Sequence, residues 1–511
     1  MSLARTFMAT TAIGLSLFAT TATADLTTTD VWSDWRAYIE GMGYTVTATE
    51  TADGDTLAVS NIAVASSENA DVSQMKLSLG SLQFVSNGDG SVDVVMPSSM
   101  PMTVDIPAQG VNPATQVEVI YTQSGQKMTA SGDAAALAYA YTAETFNMAL
   151  VSLTVDGEAM ASDTARFTLG GSALSSDTNV TVADQRSYAQ SMKIGSVLYD
   201  MFFKEPDGVE AMSLNSTLND LSFNGSSIFP AGGLPATPDL TPLLAAGFAF
   251  DGTFGANGTE TLIEISSDEG TSKLKTGSAS STLAVAMGAD GIEYDVNANQ
   301  VQMGGKLAGL PFPLFLEMAK YGVELRAPVT KSDDPQDFKL TFNMTDFTMS
   351  DIIWALFDAS GQLPRDPATV ALDLSGKVKV LVDSLSSQSA QKLAATGTAP
   401  AEVNALKIDR LLVDALGAKV EATGDITFDN TDTITMGGFP KPVGDININI
   451  AGANGLMDKL TAMGMLPTEQ AMGARMMMGL FAVPGSEPDT LQSKIEFNDA
   501  GQILANGQRI K

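Results

Sequence analysis

The sequence predicts a mainly β protein, built of large antiparallel meander sheets with several short covering helices. Three observations predict it. From Tyr44 onward apolar residues recur with period two, which sets one apolar and one polar face on each strand. Turn dipeptides punctuate the chain at Asp53-Gly54, Ser124-Gly125, Asp156-Gly157, Asn224-Gly225, Asn257-Gly258 and Asp290-Gly291. Stretches with helical period are few and short. Strands this numerous and helices this sparse argue an antiparallel meander rather than the βαβ units of a doubly wound sheet.

Composition bounds the function before any motif is read. A chain of 511 residues, 44% hydrophobic and only 17% charged, can bury a core and is no disordered acidic tail. Its formal net charge of −31 repels phosphate, so nucleic acid is excluded as a partner. Cys and His are both absent. The fold must therefore hold without disulfides, and zinc hydrolases and His-based triads lose their usual parts. General acid or base work would fall to carboxylates or Lys with shifted pKa values. The sequence assigns no catalytic residue, no metal ligand and no cofactor, and the protein is read as a non-enzyme.

Taken in order, the chain opens with Arg5, an apolar run from Met8 to Phe18 and the small residues Ala22-Thr23-Ala24. This pattern predicts a secretory signal peptide over residues 1–24, cleaved before Asp25, and a periplasmic location in the cell envelope. The alternative is an uncleaved anchor. No later stretch approaches the roughly 20 apolar residues of a spanning helix, so no integral membrane span is expected in the mature chain. Next, Thr29-Asp30 can cap a helix running through Ile39, with Trp32, Trp35, Ile39 and Met42 on one stripe and Gly41 or Gly43 closing it. Two of the three tryptophans lie there, so this helix docks on a sheet; Trp32 and Trp35 are candidates to line a ligand groove.

Alternating strands follow, among them Tyr44 to Ala48, Leu57 to Val59, Met75 to Leu79 and Val92 to Val94. The Pro- and Gly-rich stretch Phe229 to Pro242 separates an N-terminal β-rich region, 25–230, from a C-terminal one, 231–511. It suits a domain linker or a loop within one continuous elongated domain. A second break, nearly patternless, spans Leu381 to Ala401. In the C-terminal region Phe338, Leu340, Phe342 and Met344 alternate with polar residues, and Ser350 or Asp351 starts a short helix within 350–358. The clearest pattern comes last: Ile446, Ile448 and Ile450 alternate with Asp445, Asn447 and Asn449, then a helical hairpin covers 454–480 before a closing strand.

Three constellations carry chemistry on paper. Ser73-Gln74-Met75-Lys76, Ser213-Leu214-Asn215 and Lys275-Thr276-Gly277 reproduce in order the short signatures of serine penicillin-recognising enzymes. That chemistry needs Ser and Lys one helical turn apart, whereas residues three apart on a strand point to opposite faces. The methionines Met463, Met465, Met472, Met476, Met477 and Met478 could offer soft thioethers to Cu(I), but Met472, Met476 and Leu480 recur at helical spacing, the requirement of a packing face or an adaptable apolar groove. Met463, Met472, Met476 and Leu480 are accordingly groove candidates and not metal ligands. Acidic turns such as Asn87-Gly88-Asp89-Gly90 and Asp429-Asn430-Thr431-Asp432 lack a complete calcium loop, and local hydrogen bonding explains Asx-rich turns.

The signal-like start, the short Asp30-Val31-Trp32-Ser33-Asp34-Trp35 helix and GDTLAVSNIAV (Gly54 to Val64) together resemble the exported alphaproteobacterial proteins of the family called domain of unknown function 2125. The C-terminal portion is similar in ATGDITF (Ala422 to Phe428), in Pro442-Val443-Gly444 leading into a strand, in the helix at Leu456 to Met463 and in a last strand ending on Ala505-Asn506-Gly507. The resemblance implies no activity and no site residues. The expected function is therefore that of a non-catalytic exported envelope protein binding an apolar or amphipathic, lipid-like envelope component. Two further readings stand beside it: a structural module that assembles with an envelope protein partner, and a carboxylate-based hydrolase.

Overall fold

Helix α1 (Thr28–Gly41) forms where the Trp stripe predicts it, one turn-start earlier than expected. Its N-cap is Thr27, whose hydroxyl accepts from Asp30 N–H at 3.1 Å while the Asp30 carboxylate accepts from Thr27 N–H at 2.9 Å. Thr29 lies inside the first turn; Thr27 and Asp30 make a reciprocal capping box that satisfies two otherwise orphaned donors. This computed structural model describes residues 25–66, 76–108, 110–205, 208–230, 240–396 and 399–511. The signal peptide reading over 1–24 lies outside the described residues, as do Ser73 to Met75 of the penicillin-type signature and 231–239 of the Pro- and Gly-rich stretch.

Among the described residues, 28 strands join in one sheet, with every pairing antiparallel, where several meander sheets were expected. The sheet twice divides into two half-width branches and rejoins. Strand Thr56–Ser66 pairs at one end with Leu82–Ser86 and at the other with Lys76–Ser78. These branches run outward and meet again along the 20-residue strand Ala136–Val155. Strand Ala211–Pro230 divides in the same way between Ala249–Ala256 and Thr259–Ser267, and the branches rejoin at Gly291–Lys306. The sheet therefore passes without interruption across the stretch read as a boundary. Asn224-Gly225, read as a turn, lies inside Ala211–Pro230, where a Cβ on Gly225 would meet the Asp251 carbonyl oxygen at 2.5 Å. Glycine there permits close strand approach rather than chain reversal.

Five strands carry an interior residue with left-handed backbone: Asn61, Ala173, Asp220, Gln300 and Asp346, with φ between 46° and 53°. At Asn61 and Asp346 the pairing register shifts, as at a β-bulge, whereas at Ala173, Asp220 and Gln300 the register runs on unbroken. In the strand Thr56–Ser66 the consequence is direct, because Leu57 and Val59 before Asn61, and Ile62 and Val64 after it, all enter the same core cluster. The apolar residues keep the same odd step elsewhere: Leu218 then Leu221, Met344 then Phe347. Two of these residues sit beside the turns where the branches form, with Asn219 N–H donating to Gly258 C=O and Ala279 N–H to Asn299 C=O.

The two faces of the sheet differ along much of its length. The outer face carries cross-strand ion pairs, such as Arg326–Glu293 at 2.8 Å, Lys339–Glu324 at 2.7 Å and Lys273–Glu264 at 2.7 Å. The inner face carries an apolar ridge. Following the register, Phe223 opposes Phe254, then Leu283, Val296, Val323, Phe342, Leu372, Leu411, Ala422 and Ile448 follow in turn. Beside it run Tyr294, Leu325, Leu340, Leu374 and Ile408 on one flank, and Met344, Val370, Val413 and Val420 on the other.

Among the described residues five further helices decorate this sheet: α2 (Thr241–Ala245), α3 (Asp351–Trp354), α4 (Ser387–Thr396), α5 (Ala453–Ala462) and α6 (Thr468–Phe481). Helix α4 occupies the break read as patternless, and α3 is shorter than the 350–358 expected. Behind α3, the buried Asp358 carboxylate accepts from Gln362 N–H at 2.8 Å and Leu363 N–H at 2.9 Å. The hairpin of α5 and α6 forms as predicted. Asp489 caps α5 by accepting from Asn454 and Gly455 N–H, and Arg475 of α6 donates to Asn454 and pairs with Asp458.

The main buried cluster lies at the N-terminal end, where α1 covers the sheet. Half of the buried hydrophobic side chains belong to it, with Val31, Trp32, Val59, Phe84, Val92 and Val94 almost completely excluded from solvent.

An apolar pocket beside the N-terminal helix

The site is assembled by α1 and six strands. Helical spacing sends Val31 and Trp32 into the sheet, and the Trp32 ring packs on Phe84 at 5.9 Å. Trp35, one turn on, meets the same Phe84 edge-on at 5.7 Å and turns its other side to the pocket. Helix α1 is held down by a buried polar contact. Asp34, 7% exposed, pairs with Arg186 of the strand Gln185–Lys204 and accepts from the Tyr139 hydroxyl at 2.6 Å. Trp32 Nε1 donates to Glu50 at 2.9 Å, and Arg36, stacked over Trp32, pairs with the same carboxylate.

Where α1 stops covering the sheet, a pocket of about 590 Å³ opens. Trp35, Tyr38, Ile39 and Met42 form its helical wall; Met128, Tyr139, Val180, Tyr188, Phe223, Phe229, Phe248 and Phe250 form the strand side. Its aromatic rings contact one another edge to face, with Tyr38–Tyr188 at 5.1 Å, Tyr188–Phe229 at 5.7 Å and Phe229–Phe248 at 5.7 Å. Burial pushes the phenols of Tyr139 and Tyr188 above the ordinary tyrosine range, so both stay protonated at neutral pH. The Tyr188 hydroxyl is buried beside Arg186, a polar group at the apolar wall. Among the described lining residues Asp34 is the one carboxylate, and it is engaged by Arg186 and Tyr139. The two facing acids of a glycosidase-type site are not brought together here.

The other residues singled out by sequence fall elsewhere. Trp32 is core, 2% exposed, rather than part of the groove wall, while Trp35 does line it. Met472, Met476 and Leu480 are 61%, 73% and 57% exposed on α6, so their helical spacing makes an uncovered apolar face instead of a packed one. Met463, at the end of α5, is half-buried. Neither pocket wall nor ridge includes these four residues. Ser213 to Asn215 and Lys275 to Gly277 lie in strands, Lys76 begins another, and Lys275 is paired with Glu260 at 2.8 Å. The acidic turns close on themselves. Hydrogen bonds from the Ser91 hydroxyl and N–H hold the Asp89 carboxyl below its ordinary value, and Thr431 does the same for Asp429.

Sequence reasoning missed Tyr38, Tyr188, Phe229, Phe248 and Phe250. Tyr38 was within reach, since it follows Trp35 by three residues on the same helical face. The strand aromatics were not, because alternation shows that they share a face without showing which helix meets it.

No curated protein and no solved structure matches the chain. Residues 254–506, about half of the sequence, match a family model. That span contains the C-terminal segments noted above, Ala422 to Phe428 and Leu456 to Met463, together with most of the apolar ridge; the helix α1 pocket is built from residues that precede it. Over residues 254–506 the chain belongs to the family described as "Uncharacterized protein conserved in bacteria (DUF2125)".

Proposed function

We propose that this protein binds the apolar part of a lipid-like envelope component in the pocket beside α1, and that it does so after export and without catalysis. The observation that carries the reading is the pocket itself. Its volume of about 590 Å³ falls in the range of small-molecule sites, and its walls are apolar and aromatic with a few polar groups. The tethered state of Asp34 supports binding over hydrolysis, since a carboxylate locked to Arg186 and Tyr139 is poorly disposed to exchange protons with a substrate. The strongly negative charge favours a ligand whose headgroup stays in solvent over an anion drawn inside.

Native mass spectrometry of gently purified protein is expected to show co-purifying lipid, and a fluorescent fatty acid is expected to bind. Phe229→Glu should weaken that binding at least tenfold, or about 1.4 kcal/mol, by placing a charge in the apolar wall. A clean apo mass together with no fatty-acid uptake sinks the proposal.

The second reading, an interaction module, is favoured by the bare Met472, Met476 and Leu480 face, which is of the kind that partner proteins cover. The double variant Met472→Lys, Met476→Lys separates the two. Under lipid binding it leaves fatty-acid uptake unchanged; under the second reading it abolishes association with an envelope partner.

A further inference from the structure

The inner face of the sheet does not end at the pocket. Phe223, a wall residue, is also the first residue of the apolar ridge, and its ring lies 4.6 Å from that of Phe254 on the next strand. From there the ridge crosses nine strand-to-strand steps to Ile448, about 45 Å at the usual strand spacing. Most of its side chains are neither packed away nor free: Phe342, Leu372 and Leu411 are half-buried and Phe254 is 44% exposed, with Val413 on the flank 37% exposed, while Ala422 is buried. The opposite face is ion-paired along the same strands.

We propose that the ridge is a track for acyl chains, continuous with the α1 pocket, so that the protein holds apolar chains at successive positions along the sheet. This rests on the binding reading above and extends it from one pocket to the length of the C-terminal region. An apolar band that runs across successive strands suits a linear apolar occupant. Its continuity with the pocket identifies the same occupant in both places, an amphiphile whose chain lies on the ridge and whose headgroup faces water.

The test uses full-length protein carrying the photo-reactive residue p-benzoylphenylalanine at one position at a time: Phe254, Phe342, Val413, or Leu198. Leu198 is 58% exposed and projects from the opposite face. Each variant is irradiated with alkyne-tagged palmitate, and unsubstituted protein labelled with a diazirine palmitate is peptide-mapped in parallel, so that a misfolded variant cannot decide the outcome. Adducts at Phe254, Phe342 and Val413 at least fivefold above Leu198, with mapped label beyond residue 330, are expected. Adducts at Phe254 alone, with label confined to the pocket, overturn the track and leave the binding reading standing. Equal labelling at Leu198 also overturns it. No adduct anywhere, with no fatty-acid uptake, removes both.

Discussion

Asp34 is the residue on which the position of α1 depends most. In the sequence it lies between Ser33 and Trp35, where no local pattern marks it for burial. In the fold it is 7% exposed, because Arg186 and Tyr139 from distant strands meet it. A buried ion pair is weak evidence for net stability, but removal of one partner strands the other charge. Asp34→Ala should therefore destabilise the protein by about 3 kcal/mol, read as a lower urea midpoint at unchanged slope. A loss below about 1 kcal/mol would show that Arg186 finds water instead, at the surface-pair level. Trp32 and Trp35 illustrate the same limit. Both were legible as docking residues and both pack on Phe84, yet only the tertiary structure decided that Trp32 is core and Trp35 pocket wall.

At the scale of the element, strands were largely legible and their middles were not. Alternation located Ile446, Ile448 and Ile450, and the helical hairpin after them, because each pattern is local. The left-handed positions carry a weaker signal: Asn61, Asp220 and Asp346 are residue types that tolerate positive φ, but Ala173 and Gln300 are not, and only an odd step between apolar residues, such as Leu218 to Leu221, marks the place. Ala173 has no polar side chain to favour φ of 52°, a conformation that costs an L residue about 1–2 kcal/mol. Ala173→Gly should relieve most of that strain, offset by glycine's greater chain entropy, for a net gain of roughly 0.5–1 kcal/mol in thermal unfolding. A net loss would mean that the Ala173 methyl, which faces Gly195 across the pair, contributes more by packing than its backbone costs.

At the scale of the molecule, one sheet carries two unequal ends. The N-terminal end has a covering helix and a dense buried cluster; from Gly291–Lys306 onward the ridge is half-buried and the strands rely on their ladders and on exposed ion pairs worth little each. Native-state hydrogen exchange should accordingly be slowest at the amides of Leu57, Val59, Leu82, Phe84 and Leu137, and faster along Phe338 to Met349 and Val443 to Ile450. Uniform protection across both ends would contradict this picture and would require that the ridge be covered in solution.

The sequence by itself determined the strand content, the antiparallel pairing, the first helix and the closing helical hairpin, since periodicity, turn residues and caps act over a few residues. Tertiary structure decided what those elements do together. It joined the strands into a single sheet, bared the Met472 and Met476 face, buried Asp34, and brought Tyr38 against Tyr188 and Phe229 to form the pocket. Those outcomes depend on register and on contacts between residues far apart in the chain, and a local pattern records which face a side chain takes but not what that face will meet.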